Sequence, residues 1–324
     1  MKYRSLGKTG IEVSEIGFGT WGIGGLSEGA TSYGKTDDRV SKESLRLAYS
    51  KGINFFDTSN VYGDGHSEEL LGEVFQKNRK EIILASKFGF LKHDVPQDFS
   101  KKSIQNSLEG TLRRLRTDYL DLYQIHSPKI GVLEKTDVIE TLLYLKSQGK
   151  LRAYGISAKS PSDAKVAIEK YGFDAIQVNF NLTDQRVLET GLFNLCNNYD
   201  IGIIGRTPLC FGFLSGSYSK ENKFDLNDHR NSWSKEQREI WSSAYTLFSE
   251  AIDKSVKQTN AQIALRFCLS YNQISSTIPG MLTPKEVLEN VAASEMGPLN
   301  KEELLKLENI FKENTFFVSK EIQK

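Results

Sequence analysis

The sequence predicts a closed (β/α)8 barrel. Short β-branched, largely apolar runs recur roughly every thirty to forty residues, amphipathic stretches of helical period lie between them, and no Pro/Gly/Ser-rich linker interrupts the 324 residues. A chain of this length fits two domains of about 150 residues or one barrel of about 250 with insertions. Uninterrupted alternation favours one barrel domain over residues 1–324. An open doubly wound sheet is the structural alternative.

The elements follow in order. Residues 3–16 read as a polar hairpin around Gly-Lys-Thr-Gly that plugs the N-terminal end of the barrel. Eight strands are expected at 15–20, 53–58, 81–87, 119–126, 152–157, 174–180, 201–206 and 275–280. Several are apolar on both faces, as strands between a core and a helical layer are. Helices are expected at 41–52, closed by Gly52, and at 66–78, with Ser67 as its cap. Others are expected at 100–116, 138–150 and 160–172, with extra helices near the C-terminus. A polar, Gly- and Ser-rich loop spans 207–233 after the seventh strand. Loops this long are functional or disordered, and the C-terminal strand ends are where barrels carry their sites.

Composition narrows the function. With 42 basic and 41 acidic residues the net charge is +1, so no general field draws in nucleic acid or an anionic membrane. No apolar run approaches the ~20 residues of a membrane span, and the opening MKYRSLGKTGIEV has no signal core. Three scattered cysteines (Cys196, Cys210, Cys268) suit buried filler in a reduced, cytoplasmic protein. His66, His93, His126 and His229 lack metal-ligand spacing, so no metal is expected. The absence of GxSxG and YxxxK segments removes the simplest hydrolase reading and weakens a short-chain dehydrogenase reading.

Gly17-Phe-Gly19-Thr-Trp-Gly22 matches GxGxxG, and Asp37 follows about twenty residues on. A dinucleotide motif of that kind must open a helix aimed at the pyrophosphate. The next residues are too rich in Gly to start one, so these glycines are read as allowing close approach of backbone to a ligand.

The chemistry lies at three consecutive strand ends. Strand two ends in Asp57, followed by Thr-Ser-Asn-Val-Tyr62-Gly; strand three ends in Lys87; strand four ends in His126. Alone, each has an ordinary reading as turn, surface or packing residue. Together they converge on one barrel mouth. A phenol of pKa about 10 is a poor acid until an ammonium stabilises its anion. A carboxylate keeps that ammonium charged and aimed, and a neutral His holds a carbonyl oxygen. This suits carbonyl reduction, for which a nicotinamide cofactor must bring the hydride.

Gly17-Phe-Gly-Thr-Trp21, Asp57-Thr-Ser-Asn-Val-Tyr62-Gly, Lys87, His126, Gly155-Ile-Ser157, Gln177-Val-Asn-Phe-Asn181, Ile278-Pro-Gly280 and Glu289-Asn290 resemble the aldo-keto reductase superfamily, in order from about residue 3 to about residue 295. The resemblance implies a barrel binding extended NADP(H) or NAD(H) across its mouth and reducing an aldehyde or ketone to an alcohol. Tyr62 would be the general acid, Asp57 and Lys87 would tune it, and His126 would orient the carbonyl. Trp21, with Tyr62 and His126, would line the substrate pocket. Gly19, Thr20 and Trp21 would sit beside the nicotinamide, with Ser157 and Gln177 on its carboxamide. Thr207, Leu209, Leu214 and Gly216 would wrap the pyrophosphate, Gly280 would also bind the cofactor, and Glu289 and Asn290 would meet the adenine.

Three departures from the family pattern matter. Ala158 stands where many members have Asn. Arg206 stands where many have a Tyr stacked on the nicotinamide, and brings a positive charge. Leu282 and Glu286 stand where NADPH-preferring relatives place Arg; both lean towards NADH, while family membership favours NADPH and Lys285 can compensate. The alternative role is a cofactor-binding regulatory subunit, since some members dock on membrane channels. Asn60, Tyr62, Lys92 and Arg230 suggest a sugar or other polar carbonyl, although Arg230 also reads as a solvated loop charge. Tyr33 and Asp37 are candidates to reach the pocket, Asp118, Asp121 and Glu140 read as surface or cap charges, and Trp233, Trp241 and Tyr245 as the packing face of an added helix. The oligomeric state is open.

Overall fold

A computed structural model describes residues 1–27, 31–92 and 95–318. His93 and parts of the loops 22–40 and 88–99 lie outside the described residues. The chain begins with β1 (Tyr3–Ser5) and β2 (Glu12–Ser14), an antiparallel hairpin. Eight strands form the barrel: β3 (Phe18–Gly19), β4 (Phe55–Asp57), β5 (Ile83–Phe88), β6 (Leu120–His126), β7 (Leu151–Ser157), β8 (Ala175–Asn179), β9 (Gly202–Arg206) and β10 (Ile274–Ile278). They pair in parallel in chain order. Parallel bridges Ile16 to Thr277 and Gly19 to Gly280 close the ring. The (β/α)8 barrel is therefore the fold.

Helices α1 (Asp38–Ser50), α2 (His66–Phe75), α3 (Lys101–Leu115), α4 (Val138–Ser147) and α5 (Pro161–Tyr171) follow β3 to β7 in turn. After β8 come α6 (Arg186–Glu189) and α7 (Leu192–Tyr199); after β9, α8 (Lys235–Glu250) and α9 (Asn260–Leu269); after β10, α10 (Pro284–Met296) and α11 (Lys301–Glu313). Local chemistry starts several of them. Asp37 caps α1, and Ser100 and Ser160 cap α3 and α5 through backbone N–H groups. Ser67 is not a cap. Helix α2 starts on Gly65, and the Ser67 hydroxyl is buried within the first turn, donating to Thr20 Oγ1 at 2.7 Å. Asp121 is also not a surface charge: fully buried within β6, it pairs with Arg79 at 2.8 Å and Arg152 at 2.6 Å.

The barrel interior is built in layers set by the two-residue period of its strands. Phe55, Ala85, Leu122, Ala153, Ala175 and Ile204 form an apolar floor with Leu6, Ile11 and Val13 of the hairpin region. The hairpin thus seals the N-terminal end. Two residues further along the strands stand Asp57, Lys87, Gln124, Gly155, Gln177 and Arg206. The same inward parity that packs the floor puts polar groups at the other end.

Leu6 is fully buried against that floor. Leu6→Ala is expected to cost about 2 to 5 kcal/mol in urea-induced unfolding. A loss below ~1 kcal/mol would show that the hairpin is an ornament on the barrel.

Candidate active site

The polar layer converges on one buried ion pair. Lys87 Nζ donates to Asp57 Oδ1 at 2.5 Å, to the Thr58 carbonyl at 2.8 Å and to the Tyr62 hydroxyl at 3.1 Å. The other Asp57 oxygen accepts from Gln177 Nε2 at 2.8 Å and Gln124 Nε2 at 3.0 Å. Ser157 in turn donates to Gln177 Oε1 at 3.2 Å. Strands β4, β5, β6, β7 and β8 are thereby tied through side chains at their C-terminal ends.

Tyr62 is placed by a tight turn. Gly63, Asp64 and Gly65 are all left-handed, with φ of 59°, 53° and 99°. A Cβ on Gly63 would meet the Gly24 carbonyl oxygen at 2.0 Å, and one on Gly24 would meet Tyr62 backbone carbon at 2.9 Å. Two glycines therefore let the loops after β3 and β4 touch, which fixes the phenol over the mouth. His126 stands opposite, its ring centroid 6.0 Å from that of Tyr62. Its Nδ1 lies 3.2 Å from Ser59 Oγ, and Phe90 packs edge-on at 5.2 Å.

Electrostatics here is a contest. Burial raises the Tyr62 pKa above the ordinary phenol value, and the Lys87 ammonium pulls it down without cancelling the effect of burial. The phenol is therefore held protonated more firmly than an ammonium neighbour alone implies. Burial pushes Lys87 down, but Asp57 and then Tyr62 oppose this and keep its pKa above the usual lysine value. Burial lowers that of Arg206.

A cleft of about 760 Å³ opens over this cluster and runs from Phe90 and His126 past Arg206 and Thr207 to Glu289 and Asn290. Gly19, Thr20, Trp21, Asp57, Tyr62, His126, Gln177, Arg206, Thr207, Leu209, Gly280, Glu286, Glu289 and Asn290 all line it. Lys87 and Ser157 are buried behind the wall. Leu214 is in the core beneath the loop, and Gly216 turns the chain between the wall residues Ser215 and Ser217. Thr207, Cys210 and Phe211 are non-glycine residues at positive φ. Such strain concentrates where backbone is shaped for a ligand. Asn181 Nδ2 donates to the Thr207 carbonyl at 2.9 Å and holds this turn.

The far wall is aromatic. Trp21 lies 4.9 Å from Tyr33 and 4.8 Å from His229, ring to ring. Trp233, Trp241 and Phe317 also line the cleft. Of the three aromatics expected on one helix face, Trp241 and Tyr245 lie in α8 and Trp233 precedes it. Arg230 is not solvated. It is buried, pairs with Asp228 at 2.6 Å, and stacks on Tyr33, Tyr218 and Phe224. Asp37 caps α1 and does not face the cleft, whereas Tyr33 does. Gln124, Ser59 and His229 were not singled out from the sequence. Strand parity was the available signal for Gln124, which lies two residues before His126 on β6.

A model of the Aldo/keto reductase family matches residues 15–312. Aldo-keto reductase YhdN of Bacillus subtilis is 34% identical over 237 residues, 71% of this chain and 69% of that protein. A probable voltage-gated potassium channel subunit beta of Arabidopsis thaliana is 28% identical, covering 92% and 93% of the two chains. Among solved structures, the holo form of aldo-keto reductase AKR11C1 from Bacillus halodurans superposes with a TM-score of 0.79, at 29% identity and 96% coverage of each chain.

Lys87→Met removes the ammonium that lowers the Tyr62 pKa. The expected outcome is a phenol that titrates at higher pH, read as the absorbance difference against a matched Tyr62→Phe protein. Movement to lower pH would contradict the assignment.

Proposed function

The chain belongs to the aldo/keto reductase family, and from that premise we propose that it reduces an aldehyde or ketone to the alcohol with a nicotinamide cofactor. The observation that carries the proposal is the Tyr62 hydroxyl, bonded to a buried ammonium, facing His126 at the base of a long cleft.

The cleft suits a dinucleotide. Asn290 Nδ2 and Arg206 Nε are buried without a protein partner, in different parts of its length. A ligand with polar groups at separated positions would satisfy both. When bound, the reduced nicotinamide supplies a hydride to the carbonyl carbon. Tyr62 gives its proton to the oxygen, and Lys87 stabilises the phenolate left behind. Asp57, braced by Gln124 and Gln177, keeps Lys87 charged and in place. With Nδ1 on Ser59, His126 addresses the carbonyl oxygen through Nε2.

For the substrate, the wall of Trp21, Tyr33, Phe90 and His229 favours a carbonyl carrying a flat or apolar group. Two residues that suggested a sugar are engaged elsewhere. Asn60 donates to the Phe90 carbonyl at 2.7 Å, and Arg230 is clasped by Asp228.

For the cofactor, Glu286 favours NAD(H). Its Oε2 accepts from the backbone N–H groups of Leu282 at 2.6 Å and Thr283 at 3.1 Å. A carboxylate thus occupies the start of α10, the position at which a helix attracts a phosphate. Lys285 is exposed and does not line the cleft, so it does not compensate. A regulatory role without turnover has less support, because Asp57, Tyr62, Lys87 and His126 are all in place.

Tyr62→Phe is expected to lower kcat by roughly 100-fold or more, measured as NADH absorbance loss with an aromatic aldehyde, with NADH affinity nearly unchanged. Full activity in that variant would remove Tyr62 from the mechanism. Glu286→Arg is expected to shift the NADPH/NADH ratio of kcat/KM towards NADPH by about tenfold, the size of one charged contact. An unchanged ratio would show that Glu286 does not face the 2′ position.

A further inference from the structure

We propose that Arg206 makes this cleft bind the reduced nicotinamide nucleotide in preference to the oxidised one. The inference rests on the nicotinamide reading of the cleft and extends it to the redox state of the cofactor.

The charges around the mouth are unequal. Lys87 and Arg206 are cations, and Asp57 is bonded to Lys87. Asp184, which with Asp57 is a carboxylate acting on Arg206, is held by Arg186 at 2.6 Å. The Lys87–Asp57 and Arg186–Asp184 pairs are each neutral, which leaves the guanidinium of Arg206 as excess positive charge beside the position where Tyr62 must meet its substrate.

The side chain is fixed there. Its Nη2 donates to the Ala158 carbonyl at 3.2 Å, across from β9 to the end of β7. Its Nε is buried with no partner. Ala158, with no side-chain amide of its own, leaves the guanidinium as a donor at that end of the cleft. A flat guanidinium packs well against a flat ring. Reduced nicotinamide is a neutral ring, and the oxidised ring carries a positive charge. Only the oxidised form therefore meets a like charge in a site where water screens little. By linkage, differential affinity of this kind shifts the bound pair towards the reduced form, holds the hydride donor ready and helps the oxidised product leave.

The test uses the full chain and calorimetric titration with NADH, NAD+, NADPH and NADP+ in the absence of substrate. Wild type is expected to bind the reduced member of its preferred pair at least about tenfold more tightly, which equals about 30 mV for a two-electron couple. Arg206→Gln keeps a donor and removes the charge. It should bring the ratio towards unity, chiefly by tightening the oxidised nucleotide. Arg206→Lys should keep most of the wild-type preference, and Arg206→Tyr should lose it; circular dichroism of each variant checks folding, and Arg206→Tyr decides the matter if Arg206→Gln does not fold. An Arg206→Gln or Arg206→Tyr protein with the wild-type ratio would overturn the proposal, as would a wild-type ratio near one. Wild type that binds none of the four nucleotides would instead overturn the nicotinamide reading on which the proposal stands.

Discussion

The Lys87–Asp57 ion pair is the interaction on which the site depends. Two charges withdrawn from water incur a desolvation cost that a single contact does not repay. Here all three ammonium donors and both carboxylate oxygens are engaged: Lys87 donates to a carboxylate, a carbonyl and a phenol, and Asp57 accepts from Lys87, Gln177 and Gln124. Such a network is a poor source of stability and a good source of position. It joins the ends of β4, β5, β6 and β8 and presents one phenolic oxygen to the cleft.

That network exists because of the layer beneath it. The apolar floor of Phe55, Ala85, Leu122, Ala153, Ala175 and Ile204 excludes water from below, and the hairpin region completes the seal. One strand period above, the same inward direction delivers the polar set. The barrel therefore has a dry end that supplies cohesion and an open end that carries chemistry. The loops after β3 and β9 then shape the cleft from above, joined by the Ser32–Asp228 bridge and by Trp21 against His229.

Much of this was legible in the sequence. All eight barrel strands form where they are expected, five within the expected segments and β5, β7 and β10 overrunning them by one residue, because β-branched runs between amphipathic helices carry a strong local signal. The GxGxxG segment opens no long helix; Gly22–Gly24 forms one short turn. Asp57, Lys87 and His126 meet because they lie at the ends of adjacent strands, and the turn after β4 brings Tyr62 to them. What was less legible depends on contacts remote in sequence. Ser67 looked like a cap, yet tertiary packing places it against Thr20. Asp121 looked like a surface charge, yet Arg79 and Arg152 reach it from elsewhere in the chain. Arg230 looked solvated until Asp228 and three aromatic rings enclosed it. The balance at Tyr62 also escaped local reasoning, since burial, a property of the whole fold, outweighs the neighbouring ammonium.

The chemistry proposed for this cleft is hydride transfer from a nicotinamide to a carbonyl carbon. Incubation with an aldehyde and NADH deuterated on one face of C4, followed by mass spectrometry of the alcohol, tests it directly. One deuterium is expected on the carbinol carbon from one of the two C4 faces and none from the other. Alcohol formed without deuterium from either face, or no alcohol with any tested carbonyl despite bound cofactor, would contradict it.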